Sequence, residues 1–167
     1  KYELAYNLLG FLTDELDLSI IKIGSTEITN LNFIKQIGQK NRSCILSTGL
    51  STLTEVETAY SVLKDVCKNE IYVLQCTSDY PAAYHEINLK AMLTIREKLD
   101  CIVGFSDHSI GSEAAIAAVS LGAKIIEKHI TSDQSQIGPD HKASLNPKEF
   151  FDYVQSIRKT EKILGNG

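Results

Sequence analysis

The sequence lacks the features that mark several classes of protein. Its 167 residues contain no tryptophan, one methionine and three prolines. No apolar run approaches the roughly 18 residues of a membrane-spanning helix, and the first residues lack the basic-then-apolar layout of a secretory signal. We therefore expect a cytoplasmic protein without a membrane partner. The first residue is lysine rather than methionine, which suggests a piece of a longer chain.

The chain also lacks a strong charge of either sign. Lysine and arginine number 17 against 21 aspartates and glutamates, which gives a net charge of −4. Nucleic-acid-binding proteins usually carry a basic surface, so we expect no nucleic-acid partner. A hydrophobic fraction of 43% and a charged fraction of 23% are ordinary for one folded globular domain.

The four cysteines form no CxxC pair, and three of them lie in apolar, strand-like runs. They are Cys44, Cys67, Cys76 and Cys101. We expect reduced thiols in the core of a cytoplasmic protein rather than a zinc site or a disulfide framework.

Five apolar runs, mostly rich in isoleucine and valine, recur along the chain. They cover residues 19–24, 44–47, 71–77, 101–105 and 124–130. Because most lack strict polar alternation, we predict strands that are covered on both faces. Helical patterns separate the runs, and Thr52–Glu55 resembles a capping box. Pro147 is predicted to open the last helix and Gly165 to end it.

A repeated strand–helix unit indicates a parallel α/β fold. One alternative is an open, doubly wound sheet; the other is part of a (β/α)₈ barrel of the TIM type, which needs about 250 residues. No GxGxxG motif follows the first run, which weakens a dinucleotide-binding sheet. With residues 1–18 read as one further helix, the chain fits about the last five βα units of a barrel.

Polar residues follow each run, at the edge where parallel α/β proteins bind ligands. Two of them, His108 and His129, come at equivalent ends of adjacent predicted strands, about 5–7 Å apart by strand spacing. Both imidazoles are then able to reach one divalent ion. Purely structural histidines remain an equal alternative at this point.

Hydroxyl groups and a lysine are predicted at the same edge. Ser25, Ser47, Ser78 and Ser106 would ring the barrel mouth, with Lys22 pointing inward. Such groups can cradle a phosphate or carboxylate. Alternatively, the serines only cap the helices that follow them.

Two carboxylates and one aromatic ring complete the candidate site. Glu27 and Asp140 are candidates for acid–base work or for binding hydroxyl groups, although Asp140 follows Pro139 in what can also be an ordinary turn. Tyr80 precedes Pro81, which favours an extended backbone able to hold the ring over a ligand.

The order and spacing of six segments resemble the sialic acid synthase family. These enzymes condense phosphoenolpyruvate with an N-acetylated hexose to make nonulosonic acids. The resemblance covers about residues 19–164, and its segments are 22–27, 46–49, 76–81, 106–111, 122–129 and 138–145. Ser78 stands where some members have asparagine, and Gln75 where many have histidine.

The resemblance implies a barrel followed by a small antifreeze-like domain, in a domain-swapped homodimer. Residues 1–167 would then be a partial barrel domain, without the N-terminal strands and the C-terminal domain. It also implies a manganese ion, or Mg²⁺ or another divalent ion, on His108 and His129. By the same resemblance, Lys22, Ser25, Ser47, Ser78 and Ser106 bind phosphoenolpyruvate, and Glu27, Tyr80 and Asp140 lie on the sugar side.

The function expected from the resemblance is metal-dependent condensation of phosphoenolpyruvate with N-acetylmannosamine or a 2,4-diacetamido analogue, which yields a nonulosonic acid and phosphate. Glu27, His108 and His129 are the expected catalytic residues. The loop at residues 138–142 favours the sialic or legionaminic branch over the pseudaminic one. The alternatives are a non-catalytic fragment that keeps an anion and metal site, and a related synthase that uses phosphoenolpyruvate with a phosphorylated aldose.

Overall fold

The computed structural model describes residues 2–166, with the backbone alone for residues 2–4 and 6. Five strands form one parallel sheet in the order of the sequence. They are β1 (Ile20–Ile23), β2 (Ser43–Ser47), β3 (Ile71–Cys76), β4 (Ile102–Asp107) and β5 (Ile126–Lys128). The predicted parallel α/β fold is confirmed.

Six α-helices flank the strands. They are α1 (Tyr2–Gly10), α2 (Leu31–Gln39), α3 (Leu53–Val66), α4 (Lys90–Leu99), α5 (Glu113–Ser120) and α6 (Pro147–Leu164). The prediction of one helix over residues 1–18 needs correction, because α1 passes into a π-helical segment at Phe11–Glu15. Within the described part of the chain, no helix has both the length and the apolar character needed to span a membrane.

The sheet is curled into a half-barrel. In a flat sheet, four strand spacings would separate β1 from β5 by about 19 Å. Yet the Nζ atom of Lys22 on β1 lies 3.6 Å from Oε2 of Glu127 on β5. The sequential strand order and this closeness exclude the doubly wound alternative, in which the strand order reverses.

Local signals fix the ends of two helices as predicted. The Thr52 hydroxyl accepts a hydrogen bond from the backbone N–H of Glu55, and the Glu55 carboxylate accepts one from the N–H of Thr52. This capping box satisfies two donors that have no partner within the helix. Pro147 begins α6, and Gly165 ends it at φ 69°.

The convex face of the sheet carries the main apolar core. Alternate side chains of β1–β4 point to this face and are buried against α2, α3 and α4; they include Ile21, Ile23, Cys44, Leu46, Val73 and Val103. The hydrophobic effect of this layer therefore holds three helices onto the strands.

The concave face is built by the residues in between, and it is exposed at the amino ends of the strands. Lys22, Ile45, Tyr72 and Ile102 lie side by side in one register row across four strands. Ile20 is 47% exposed and Ile102 37% exposed. Nearer the carboxyl ends of the strands, concave-side Leu74 and Ser106 are 0% and 2% exposed. The prediction of strands covered on both faces therefore holds at those ends and not at the amino ends, where Ile20 and Ile102 lie.

Candidate active site

His108 is held directly after β4. Its Nδ1 donates to the carbonyl of Thr77 at 2.6 Å, and its Nε2 lies 3.3 Å from the Ser106 hydroxyl. Burial lowers the pKa of His108, so the imidazole is neutral at neutral pH. With Nδ1 committed to a carbonyl, Nε2 is the nitrogen left for a ligand.

His129 follows β5 and lies next to His108, as the strand pairing predicts. The two ring centroids are 5.3 Å apart with an interplanar angle of 89°. Nδ1 of His129 lies 3.9 Å from the carboxylate of Asp140. The structure thus brings both histidines and one predicted carboxylate together.

Tyr80 covers the histidine pair. Its ring centroid is 4.1 Å from that of His108 and 5.3 Å from that of His129. The ring is partly exposed, so it forms one wall of the site.

Glu127 connects the histidine side of the site to Lys22, and the sequence analysis did not select it. Its Oε1 accepts a hydrogen bond from Ser106 at 2.6 Å, while its Oε2 lies 3.6 Å from Lys22 Nζ. The sequence did contain a signal for Glu127. It lies two residues before His129, and side chains two residues apart in a strand point to the same face of the sheet. Because this ion pair is partly exposed, its contribution to stability is about 0–1 kcal/mol, and Lys22 can exchange Glu127 for an anionic ligand.

Ser25, Gly49 and Ser78 come together from the loops after β1, β2 and β3. Gly49 has φ +51°, and a Cβ atom placed on it would overlap Ser25 and lie 2.8 Å from the Ser78 hydroxyl. Only glycine fits this position without displacing a neighbour. The close approach puts two predicted anion-binding hydroxyls beside the same point of the backbone.

Ser47 is buried at the end of β2, and its hydroxyl has no hydrogen-bond partner among the described residues. A buried hydroxyl without a partner costs free energy, and a bound ligand would supply one. The predicted position of Ser47 at the mouth of the site fits this observation.

Glu27 is less closely joined to the rest of the site. The side-chain contact that the structure gives it is with Asn30, the N-cap of α2, at 3.0 Å. No contact among the described residues joins its carboxylate to the histidines. Its assignment to the sugar side stays a prediction.

Cys76 is a second residue that the sequence analysis did not place in the site. Its Sγ lies 3.9 Å from Nδ1 of His108, and its partner in the neighbouring strand is Ser106. Burial raises the pKa of Cys76, so the thiol is neutral. The signal was again alternation, which puts Cys76 on the same face as Ser106.

The donor set suits a divalent ion with few protein ligands. Among residues 2–166, no group of three or more histidine, cysteine, aspartate or glutamate side chains is arranged to hold a metal. Two adjacent imidazoles, one kept neutral by burial, are nevertheless donors that zinc, copper, iron and nickel favour, while manganese would also take oxygen ligands such as water or a carboxylate. Such an ion would keep open positions for substrate or water.

Comparison with known proteins identifies the family. The model of the NeuB family matches residues 6–167. The chain belongs to the NeuB family. It is 47% identical to the N,N'-diacetyllegionaminic acid synthase of Campylobacter jejuni, over 93% of this chain and 47% of that protein. It is 39% identical to the pseudaminic acid synthase of the same species, over 87% of this chain and 43% of that protein.

A solved structure matches the fold as well. The N-acetylneuraminic acid (sialic acid) synthetase of Leptospira borgpetersenii, in complex with citrate, superimposes with a TM-score of 0.86 at 38% identity. The match covers 92% of this chain and 54% of that chain. The chain therefore spans about half the length of the relatives it matches. The resemblance to the sialic acid synthases is confirmed at the level of the family.

Proposed function

We propose that the protein containing these residues condenses phosphoenolpyruvate with an open-chain N-acetylated hexose, with formation of a nonulosonic acid and phosphate. The observation that carries the proposal is the edge-on histidine pair, 5.3 Å between centroids, beside a ring of hydroxyls and Lys22 in a chain of the NeuB family. C3 of phosphoenolpyruvate forms a bond to the aldehyde carbon with the electrons of its C2–C3 double bond, while the C=O double bond opens and the aldehyde oxygen takes up a proton. Water adds at C2, and cleavage of the C2–O bond then releases phosphate.

His108 and His129 hold a divalent ion in this proposal, Mn²⁺ or alternatively Mg²⁺ or another divalent ion. The bound ion supplies Lewis-acid polarisation of the sugar carbonyl. His108 contributes Nε2, because its Nδ1 is committed to the carbonyl of Thr77. The carboxylate of Glu127 lies close to the histidine pair, because it accepts a hydrogen bond from Ser106, whose hydroxyl is 3.3 Å from Nε2 of His108.

Phosphoenolpyruvate is bound by Lys22, Ser25, Ser47, Ser78 and Ser106 in the proposal. Lys22 provides the positive charge, since its partly exposed pair with Glu127 at 3.6 Å is loose enough to exchange. The unpartnered Ser47 hydroxyl gains a partner on binding. Positioning of the two substrates supplies much of the rate enhancement in such a site.

The sugar lies on the side of Tyr80 and Asp140 in the proposal, with Glu27 handling a hydroxyl proton. The Tyr80 ring covers both imidazoles, and the Asp140 carboxylate is beside His129. Of the two Campylobacter jejuni relatives, the legionaminic acid synthase is the more similar at 47% against 39% identity. This favours a 2,4-diacetamido hexose or N-acetylmannosamine over a pseudaminic acid precursor.

The test is phosphate release by the protein expressed from the complete reading frame that contains these residues. The assay supplies phosphoenolpyruvate, Mn²⁺ and a panel that includes N-acetylmannosamine, its 2,4-diacetamido analogue and phosphorylated aldoses. We expect release that requires both sugar and metal, and a fall of more than about 100-fold in His108→Ala, since loss of outer-shell partners alone costs 10–100-fold. The matched control is His85→Ala, in the exposed one-turn helix Tyr84–Glu86, which should keep wild-type turnover.

Three results would contradict the proposal. Preference for a phosphorylated aldose would assign the protein to a related synthase. Binding of phosphoenolpyruvate without phosphate release would indicate a non-catalytic binding protein. Equal turnover in His108→Ala and His85→Ala would remove the histidine pair from the reaction.

The homodimer and the cytoplasmic location also remain proposals, which gel filtration and cell fractionation of the same protein would test.

A further inference from the structure

A cluster of buried polar side chains lies on the convex side of the sheet, between β4, β5 and α6. It consists of Asp107, Lys128 and Tyr153, and we refer to it as the 107–128–153 cluster. The side chains of Asp107 and Lys128 are 0% and 2% exposed, and Tyr153 is 4% exposed. Because desolvation of two charges costs several kcal/mol per ion, a buried ion pair is weak evidence for stability. Its presence calls for another explanation.

The cluster is fully connected. Asp107 Oδ1 accepts hydrogen bonds from the backbone N–H and the hydroxyl of Ser109, at 2.8 and 2.6 Å. Its Oδ2 accepts one from Tyr153 at 2.7 Å and lies 3.3 Å from Lys128 Nζ. Lys128 also donates to the carbonyl of Ser109, and its Nζ lies 5.4 Å from the centroid of the Tyr153 ring. Two strand ends, one turn and one helix are thus tied to a single carboxylate.

The position of the cluster links it to the histidines. Asp107 and Lys128 are the last register pair between β4 and β5, and each is followed directly by one of the two histidines. β5 is only three residues long, so its backbone ladder constrains the strand end weakly. Backbone alternation turns Asp107 and Lys128 away from the site and leaves their neighbours to face it.

The histidines depend unequally on this support. The ring of His108 has its own anchor in the carbonyl of Thr77. The ring of His129 has a loose contact with Asp140 at 3.9 Å, while its backbone carbonyl accepts from Leu145. The position of the second imidazole therefore follows mainly from where its backbone is held.

We propose that the 107–128–153 cluster is a positioning device that sets the separation of His108 and His129 and thereby the affinity for the divalent ion. This inference rests on the proposed function, which assigns a metal to the two imidazoles. Directional hydrogen bonds fix the relative shift of the two strand ends, which an apolar contact of the same volume would leave free. Tyr153 acts as the donor, because burial and the neighbouring Asp107 raise its pKa.

The test compares Tyr153→Phe with Tyr60→Phe in the protein from the complete reading frame. Tyr60 is a buried tyrosine of α3, in the apolar layer on the convex face, so both variants lose one hydroxyl from a buried ring. Mn²⁺ binding without substrates is followed by electron paramagnetic resonance of the free ion, beside the thermal midpoint of each apoprotein. We expect the Mn²⁺ dissociation constant to rise about tenfold in Tyr153→Phe, as for other outer-shell partners, and to stay unchanged in Tyr60→Phe.

A second variant, Asp107→Asn, keeps the shape of the carboxylate and removes its charge. It should weaken Mn²⁺ binding at least as much as Tyr153→Phe. If Tyr153→Phe lowers the thermal midpoint but leaves the Mn²⁺ affinity equal to that of Tyr60→Phe, the cluster is structural only and the proposal is wrong. Wild-type protein that binds Mn²⁺ but releases no phosphate with any sugar contradicts the proposed function alone, and wild-type protein that binds no Mn²⁺ overturns both proposals.

Discussion

The two faces of the sheet differ in almost every physical respect. On the convex face, Leu46 and Val73 are completely buried among helices. On the concave face, apolar Ile20 and Ile102 are partly exposed, and the positions near the carboxyl ends of the strands include charges, hydroxyls and a thiol. The convex face carries the main apolar core, and in the proposed function the concave face presents groups to a ligand. Substitutions on the two faces should therefore separate loss of stability from loss of binding.

The largest expected effect on stability is on the convex face. Leu46→Ala should lower the free energy of unfolding by about 2–5 kcal/mol, because it removes buried methyl groups and leaves a cavity. The control is Leu50→Ala, which makes the same change at a side chain that is 88% exposed and should stay within about 0.5 kcal/mol of wild type. Urea denaturation measures both. Equal losses in the two variants would mean that the convex layer is not the main core.

The intermediate effect is on the concave side. Gly49→Ala should cost about 1–3 kcal/mol of stability through its strained backbone. It should also raise the KM for phosphoenolpyruvate, because the new methyl group displaces Ser25 and Ser78. Gly165→Ala is the matched control, since Gly165 also has a positive φ but no neighbouring atom within 4 Å of the added Cβ. An unchanged KM in both variants would contradict a binding role for the two serines.

The smallest effect belongs to the edge of the convex layer. Thr52→Ala removes the hydroxyl of the capping box and should lower the free energy of unfolding by about 1 kcal/mol without changing KM. Thr29→Ala, at an exposed threonine outside the α-helices, should change it by less than about 0.5 kcal/mol. A change in KM for Thr52→Ala would contradict the claim that stability and substrate binding depend on different faces of the sheet.

Local signals in the sequence were sufficient for the starts of α3 and α6 and for the histidine pair, but not for the π-helical segment after α1. The capping box at Thr52 and the proline at the start of α6 act within one turn, so their outcome depends little on the rest of the chain. The closeness of His108 and His129 followed from strand spacing, which is nearly constant in all sheets.

Contacts between distant strands were not predictable in the same way. The pairing of Lys22 with Glu127 depends on how far the sheet curls, and no residue pattern encodes that curvature locally. The same holds for the exposure of Ile20 and Ile102, since their residue type does not show whether a layer covers them. The sequence could not show that the Ser47 hydroxyl lacks a hydrogen-bond partner among the described residues, because this depends on the positions of all neighbouring atoms.

The contact between Lys22 and Glu127 has a consequence for the order of events in folding. It joins the first and last strands of the sheet, so it is among the most non-local contacts of the chain, and non-local contacts form late and slowly. A folding intermediate with four paired strands would already hold most of the convex core, but not the fifth strand end that places His129. The end of β5 that positions His129 is therefore the last part of the described sheet that we expect to be completed.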